Sequence, residues 1–273
     1  MTSAGRHFLQ IPGPTNVPDR VLRAIDHATM DHRGPEFGVL GRRILTRIRD
    51  VFDTAGSVVI YPGSGTGAWE AALVNTLSPG DAVLMCRTGW FATLWQELAE
   101  RLGLRPEFID TDWRRGADVP AIGDALRRDA SHRIQAVCVV HNETSTGCAS
   151  RIDEVRAAMD DAAHPALLIV DVISSLGSIP YRHDAWRVDV TVAGSQKGLM
   201  LPTGMAFTGI SARAIAAAAE AKLPRVYWDW RRLLGGASQS VWNGTAPVHF
   251  FYGLQEALRM LEEEGLDEVF ARH

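Results

Sequence analysis

Three short stretches hold residue types that could do chemistry. The first, Tyr61-Pro62-Gly63-Ser64-Gly65-Thr66-Gly67, is glycine-rich and stands immediately before a helical pattern. Glycines let a backbone approach a ligand closely, and the N–H groups at a helix start favour a phosphate. The stretch is neither the dinucleotide fingerprint nor a nucleotide P-loop, because it lacks the last glycine spacing and the Gly-Lys-Ser/Thr. Read alone, it is equally a tight strand-to-helix turn. The second is Asp171, which closes the apolar run ALLIVD. A carboxylate there could cap a helix, ligate a metal or face a cationic ring. The third is Lys197, within Ala193-Gly194-Ser195-Gln196-Lys197-Gly198 after the run VDVTVA. A loop lysine is ordinarily a solvated charge, but this one stands between glycines at a strand end. About one strand–helix–strand step separates it from Asp171, which brings the two to neighbouring strand ends.

The elements that must position these residues alternate along the chain. Short β-branched or apolar runs fall at 57–61, 82–86, 134–140, 166–171, 188–193 and 205–210. Helical periodicity fills 68–77, 91–102, 119–128 and 152–162 between them. Such alternation predicts an α/β fold with a mainly parallel sheet. ALLIVD and QAVCVV are apolar throughout, as strands covered by helices on both faces are. Two amphipathic helices precede the first strand, one starting near Pro18 and one carrying Phe37, Leu40, Ile44, Ile48 and Val51. A proline-rich arm, IPGPTNVP, leads into them. Later come an alanine-rich helix over 212–222 capped by Ser211, an irregular excursion over 227–247 containing Gly235-Gly236, and a last helix over 248–264.

Phosphate cradle, carboxylate and lysine together are what pyridoxal phosphate requires. The phosphate needs a site, the pyridinium nitrogen an acid partner, and the aldehyde a lysine for its Schiff base. The carboxylate keeps the ring nitrogen protonated, and the freed lysine amine moves the substrate's α-proton.

Composition narrows the alternatives. The 273 residues carry a formal charge of −4 with both signs mixed, unlike the basic footprint of a nucleic-acid protein. Hydrophobic residues are 46 % and charged residues 22 %, ordinary for a globular chain. Three cysteines exclude a disulfide scaffold, and Cys86 and Cys138 read as buried thiols. No segment has the length for a membrane span, and Gln10 breaks the one apolar stretch near the N-terminus. A cytoplasmic, enzyme-like protein is expected. His27, His32 and His141 lack metal-ligand spacing, Tyr227, Trp228 and Trp230 read as packing or interface, and Glu262-Glu263-Glu264 reads as a solvated helix end.

Beyond these readings, the chain resembles the class V aminotransferases of pyridoxal-phosphate fold type I, most closely their serine–glyoxylate and alanine–glyoxylate group. The stretches that carry the resemblance are PGPTNVPDRVLRAI, DHRGPEFGVL, YPGSGTGAWEAAL, HNETSTG, ALLIVDVISSLGS, AGSQKGLMLPTG, RVYWDW and YGLQEAL, in this order. The resemblance implies a seven-stranded, mainly parallel sheet between helices, with Lys197 as the Schiff-base lysine and Asp171 as the pyridinium partner. It puts Ser64, Gly65, Thr66 and Gln196 on the phosphate and Thr245 on the phosphate of a neighbouring subunit, hence a homodimer. Phe91 takes the ring-stacking position, Ile173 the other ring face, and Thr144 a place near the ring hydroxyl. Pro12–Thr15 matches the substrate-access arm. Trp242 stands where the mammalian branch has a phosphate-binding tyrosine.

The implied reaction moves an amino group from serine or alanine to glyoxylate. The implied domains are an arm over 1–17, a large cofactor-binding domain over 18–264, and over 265–273 the start of a small C-terminal domain that is otherwise missing. The arginine that clamps the substrate carboxylate belongs to that small domain. Two other readings stand beside this one: a catalytically impaired cofactor-binding fragment, and a lyase or desulfurase of the same fold. Desulfurases carry histidine before the lysine, where this chain has Gln196.

Overall fold

The computed structural model describes residues 8–234, 242 and 244–273. Strands β1 (Ser57–Pro62), β2 (Ala82–Arg87), β3 (Arg105–Asp110), β4 (Ile134–Val140), β5 (Leu167–Asp171), β6 (Val190–Gly194) and β7 (Met205–Ile210) form one sheet, ordered β1-β7-β6-β5-β4-β2-β3. β7 runs antiparallel to both its neighbours, and the other pairings are parallel. The carboxyl ends of β1, β2, β4, β5 and β6 therefore share one edge of the sheet. Ligands of open α/β sheets bind at that edge.

Helices cover both faces. On one side lie α2 (Pro35–Phe52), α5 (Val119–Arg128), α6 (Ile152–Asp161) and α9 (Val248–Glu264), and on the other α3 (Gly65–Thr76), α4 (Trp90–Arg101) and α7 (Ala212–Glu220). The strands between them feed two apolar layers. In β5, Leu168 and Val170 face one layer while Leu167 and Ile169 face the other. This two-sided burial is why ALLIVD shows no alternation. Shorter helices α1 (Asp19–Ile25), α8 (Trp230–Leu234) and α10 (Leu266–Arg272) complete the chain.

Two departures from the expected elements have physical causes. β3 is absent from the apolar runs, because this edge strand reads RPEFID and none of its residues is buried. α3 starts at Gly65 rather than 68, with Ser64 extended as its N-cap. Gly65 and Gly67 are poor helix formers and disguise a first turn that is nonetheless helical. Gly235-Gly236 and the first seven residues of the arm lie outside the described residues.

The aromatic cluster divides into separate roles. Trp230 is fully buried, Trp228 backs the glycine-rich turn, and Tyr227 is 44 % exposed. A Cβ on Gly67 would come within 2.8 Å of the Trp228 indole, so glycine is what lets the ring close on the turn. Trp242 is likewise buried in the core, its ring centroid 4.5 Å from that of Phe251 and 5.7 Å from that of Phe37. The acidic end of α9 is exposed, as expected, and also paired: Arg20 bonds Glu256 and Glu263 at 2.7 Å, and Arg47 meets Glu262 at 3.2 Å. Exposed pairs of this kind add little stability, but they orient α1 and α2 on α9.

Asn75, fully buried in α3, holds the aromatic segment in place. Its Nδ2 donates to Trp228 O at 2.6 Å and to Ala71 O at 2.8 Å, and its Oδ1 accepts from Trp230 N at 3.1 Å. Replacing it leaves buried backbone groups without partners, each costing about 1–3 kcal/mol. Asn75→Ala is therefore expected to lower the unfolding free energy by at least ~1–3 kcal/mol in chemical denaturation. A change within about 0.5 kcal/mol, the range of an inert surface substitution, would contradict this role.

Candidate active site

A cavity of about 250 Å³ opens at the carboxyl edge of the sheet. Ser64 reaches it from the turn after β1, Asp171 from the end of β5, and Gln196 and Lys197 from the loop after β6. Gly65, Thr66, Phe91, Thr144 and Ile173 also line it. Every site residue expected from the sequence meets there except Thr245, which is exposed ahead of α9 and whose expected role is toward a neighbouring subunit.

One end of the cavity suits an anion. The first N–H groups of a helix have no intrahelical acceptor and carry its positive dipole end. At α3 the Ser64 side chain does not cap them. Gln196 also lines the cavity, and the N–H groups of its carboxamide can donate to an anion.

The middle of the cavity suits a cation. Asp171 is 3 % exposed. Its Oδ1 accepts from Ile173 N at 2.6 Å, and its Oδ2 accepts from Trp69 Nε1 at 2.7 Å. Burial pushes the carboxyl up to about 7, and nearby Glu143 adds to the rise. The two donated hydrogen bonds and Lys197 pull the other way without cancelling it. Asp171 forms no ion pair with any described residue. A buried carboxylate in that state lacks a counter-charge, and a protonated ring nitrogen in the cavity would supply one. Lys197 lies beside it, its Nζ donating to Pro12 O at 2.6 Å, and burial lowers its pKa against the opposing pull of Asp171. Anion site, a carboxylate without an ion pair among the described residues, and half-buried amine thus fit pyridoxal phosphate.

The N-terminal arm is laid across the lysine loop. Thr15 N donates to Gln196 O at 3.0 Å, and Thr15 Oγ1 to Lys197 O at 3.4 Å. Beyond Lys197 a second cavity, about 510 Å³, continues from the first and shares Asn142, Thr144 and Ser174 with it. Thr15, Asn16 and Ser178 also line it, so its wall is rich in amides and hydroxyls.

Two functional side chains escaped the sequence. Glu143, fully buried, accepts from Phe91 N at 3.3 Å and Ala92 N at 3.1 Å, and from Ser145 N at 3.0 Å and its hydroxyl at 2.8 Å. It caps α4 and ties the Phe91 turn to the Thr144 loop. Its signal was only that an acidic residue adjoined Thr144 in NETSTG, where a polar loop is the ordinary reading. Trp69 donates to Asp171 from inside α3, among apolar neighbours that make any tryptophan look like core. The three thiols are free, with Cys86 and Cys138 buried as expected.

The raised Asp171 carboxyl makes a pH prediction for the cofactor-free protein. An unfolded aspartate titrates near ~4, whereas this one titrates at about 7 when folded. Between those values the folded state holds a proton that the unfolded state has lost, so stability falls as pH rises. Above both, the penalty is complete at ~4 kcal/mol. Asp171→Asn removes it. Its unfolding free energy relative to the parent should therefore rise by up to ~4 kcal/mol between about pH 4 and about pH 8. A pH-independent difference would show that the carboxyl is not held in this state.

Comparison with known proteins agrees with the geometry. The class-V aminotransferase family profile matches residues 7–273. The chain is 47 % identical to a serine–glyoxylate aminotransferase of Methylorubrum extorquens, over 98 % of this chain and 68 % of that protein. It is 44 % identical to an L-aspartate–glyoxylate aminotransferase of Paracoccus denitrificans, over 100 % and 69 %. Among solved structures, an alanine–glyoxylate aminotransferase from Nostoc sp. superposes with a TM-score of 0.90 at 33 % identity, covering 100 % of this chain and 72 % of that one. With strand order, site and sequence in accord, the chain belongs to the class-V aminotransferases, enzymes that depend on pyridoxal phosphate.

Proposed function

We propose that the chain moves an amino group from a small amino acid, serine or alanine, to glyoxylate, giving glycine and a 2-oxo acid. The observation that carries this reading is the buried Asp171, without an ion pair among the described residues, beside Lys197 in a cavity that ends on the α3 N-terminus. Pyridoxal phosphate, when bound there, supplies an electron sink for the bond to the substrate's α-hydrogen. Ser64, Gly65, Thr66 and Gln196 would hold its phosphate, Phe91 and Ile173 would flank its ring, Thr144 would lie near the ring hydroxyl, and Asp171 would pair with the ring nitrogen.

The chain's own groups then divide the work. Lys197 Nζ accepts the α-proton and later returns it, and its lowered pKa leaves more of the amine neutral near neutral pH. Asp171, gripped by Trp69 and Ile173, presents its charge from a fixed direction, so no reorganisation is needed as electrons move. The arm from Pro12 to Thr15 covers the lysine loop and limits water there. Substrates approach through the hydroxyl-rich second cavity, whose donors suit small polar acids. In this reading the arm is 1–17, the cofactor-binding domain 18–264, and 265–273 opens a small domain. Thr245 serves a neighbouring subunit's phosphate, which makes the protein a homodimer. Three free thiols accord with a place in the cytoplasm.

The chain holds two lysines, Lys197 and Lys222, which makes the test simple. Borohydride reduction of protein loaded with pyridoxal phosphate should leave the label on the peptide containing Lys197. Lys197→Ala should lose that label and ~100- to 10,000-fold of its transamination rate. With glyoxylate as acceptor, serine or alanine should form glycine faster than aspartate does. A label on Lys222, or no glycine from any of these donors, would overturn the proposal.

A further inference from the structure

The glycine turn and the buried carboxylate are joined by one helix. Trp69 lies one turn along α3 from Gly65, so residue 65 and residue 69 share a face. The same rigid segment therefore presents N–H groups to one end of the cavity and an indole N–H to Asp171 near its middle. Trp69 is 2 % exposed and stacked on Trp95 of α4, with ring centroids 5.7 Å apart and planes 13° apart. Trp95 is fully buried, and its own Nε1 has no partner among the described residues. Of the two stacked indoles, only the one facing the cavity is satisfied, and its acceptor is the carboxylate.

We infer that Trp69 is a positioning residue, whose indole N–H fixes the Asp171 carboxylate toward the cavity and joins its orientation to the anion site on the same helix. The inference rests on the proposed cofactor reading. Each carboxylate oxygen accepts one protein hydrogen bond, Oδ1 from Ile173 and Oδ2 from Trp69, and each keeps a further lone pair. Losing the indole N–H frees the side chain to rotate and removes a donor to a buried charge. Stacking on Trp95 alone would be served by any aromatic ring, so the hydrogen bond and the packing can be separated.

Trp69→Phe keeps an aromatic ring against Trp95 and deletes the donor. Pyridoxal-phosphate binding, read by absorbance titration, is expected to weaken about 10- to 100-fold, as for loss of a hydrogen bond to a charged group. In an Asp171→Asn background the same substitution should weaken binding by less than about 2-fold, since the partner charge is gone. Should Trp69→Phe fail to fold, benzothienylalanine at position 69 keeps the bicyclic shape and lacks only the N–H. Equal weakening in both backgrounds, or none in either, would overturn the positioning role while wild-type protein still bound cofactor on Lys197. Wild-type protein that failed to bind pyridoxal phosphate would overturn the functional reading itself, and the inference with it.

Discussion

A carboxylate buried at the end of a central strand is expensive to ionise, and Asp171 is buried at the end of β5 with β4 on one side and β6 on the other. Taking such a charge out of water costs several kcal/mol unless hydrogen bonds and an opposite charge offset it. The fold supplies two hydrogen bonds, from Ile173 and Trp69, and leaves the opposite charge to whatever enters the cavity. The surrounding architecture follows from that arrangement. The lysine loop comes from the adjacent strand, the uncapped N–H groups from the helix that donates the indole, and Phe91 from the helix stacked behind it.

The parallel sheet makes these meetings possible. Strand ends that are distant in sequence converge on one edge, so Ser64, Asp171 and Lys197 need only short loops to meet. α3 leaves β1 and packs over β6 and β7, which carries its first turn toward the lysine loop. Asn75 and Trp228 stabilise that turn from behind, and Glu143 fixes the opposite wall by capping α4. The arm closes the remaining side through bonds to Gln196, and Lys197 in turn donates to Pro12. Positions far from the reacting atoms thus set the precision of the site.

Lys197, Asp171 and the glycine-rich turn were legible because each breaks a local rule: a lysine among glycines at a strand end, a charge closing an apolar run, glycines where a helix begins. β4, α5 and α9 were legible to the residue, the strand from its apolar run and the two helices from apolar residues recurring on one face. β3 was hidden by its edge position, where charge is permitted. Trp69 and Glu143 were hidden because an apolar helix and a polar loop each offer them an ordinary explanation. Their roles come from contacts with residues distant in sequence, Asp171 for the first and the α4 N-terminus for the second, and no local pattern encodes those. Phe91, Thr144, Ile173, Gln196 and Thr245 came from resemblance to a family, not from spacing.

Without cofactor, Asp171 awaits a positive charge. Infrared difference spectroscopy of the cofactor-free protein at about pH 6 reads it directly, with Asp171→Asn identifying the band. Because the folded carboxyl titrates at about 7, a protonated-acid signal belonging to Asp171 should be present and should vanish when pyridoxal phosphate is added. An Asp171 already ionised before the cofactor arrives, and unchanged by it, would contradict the account.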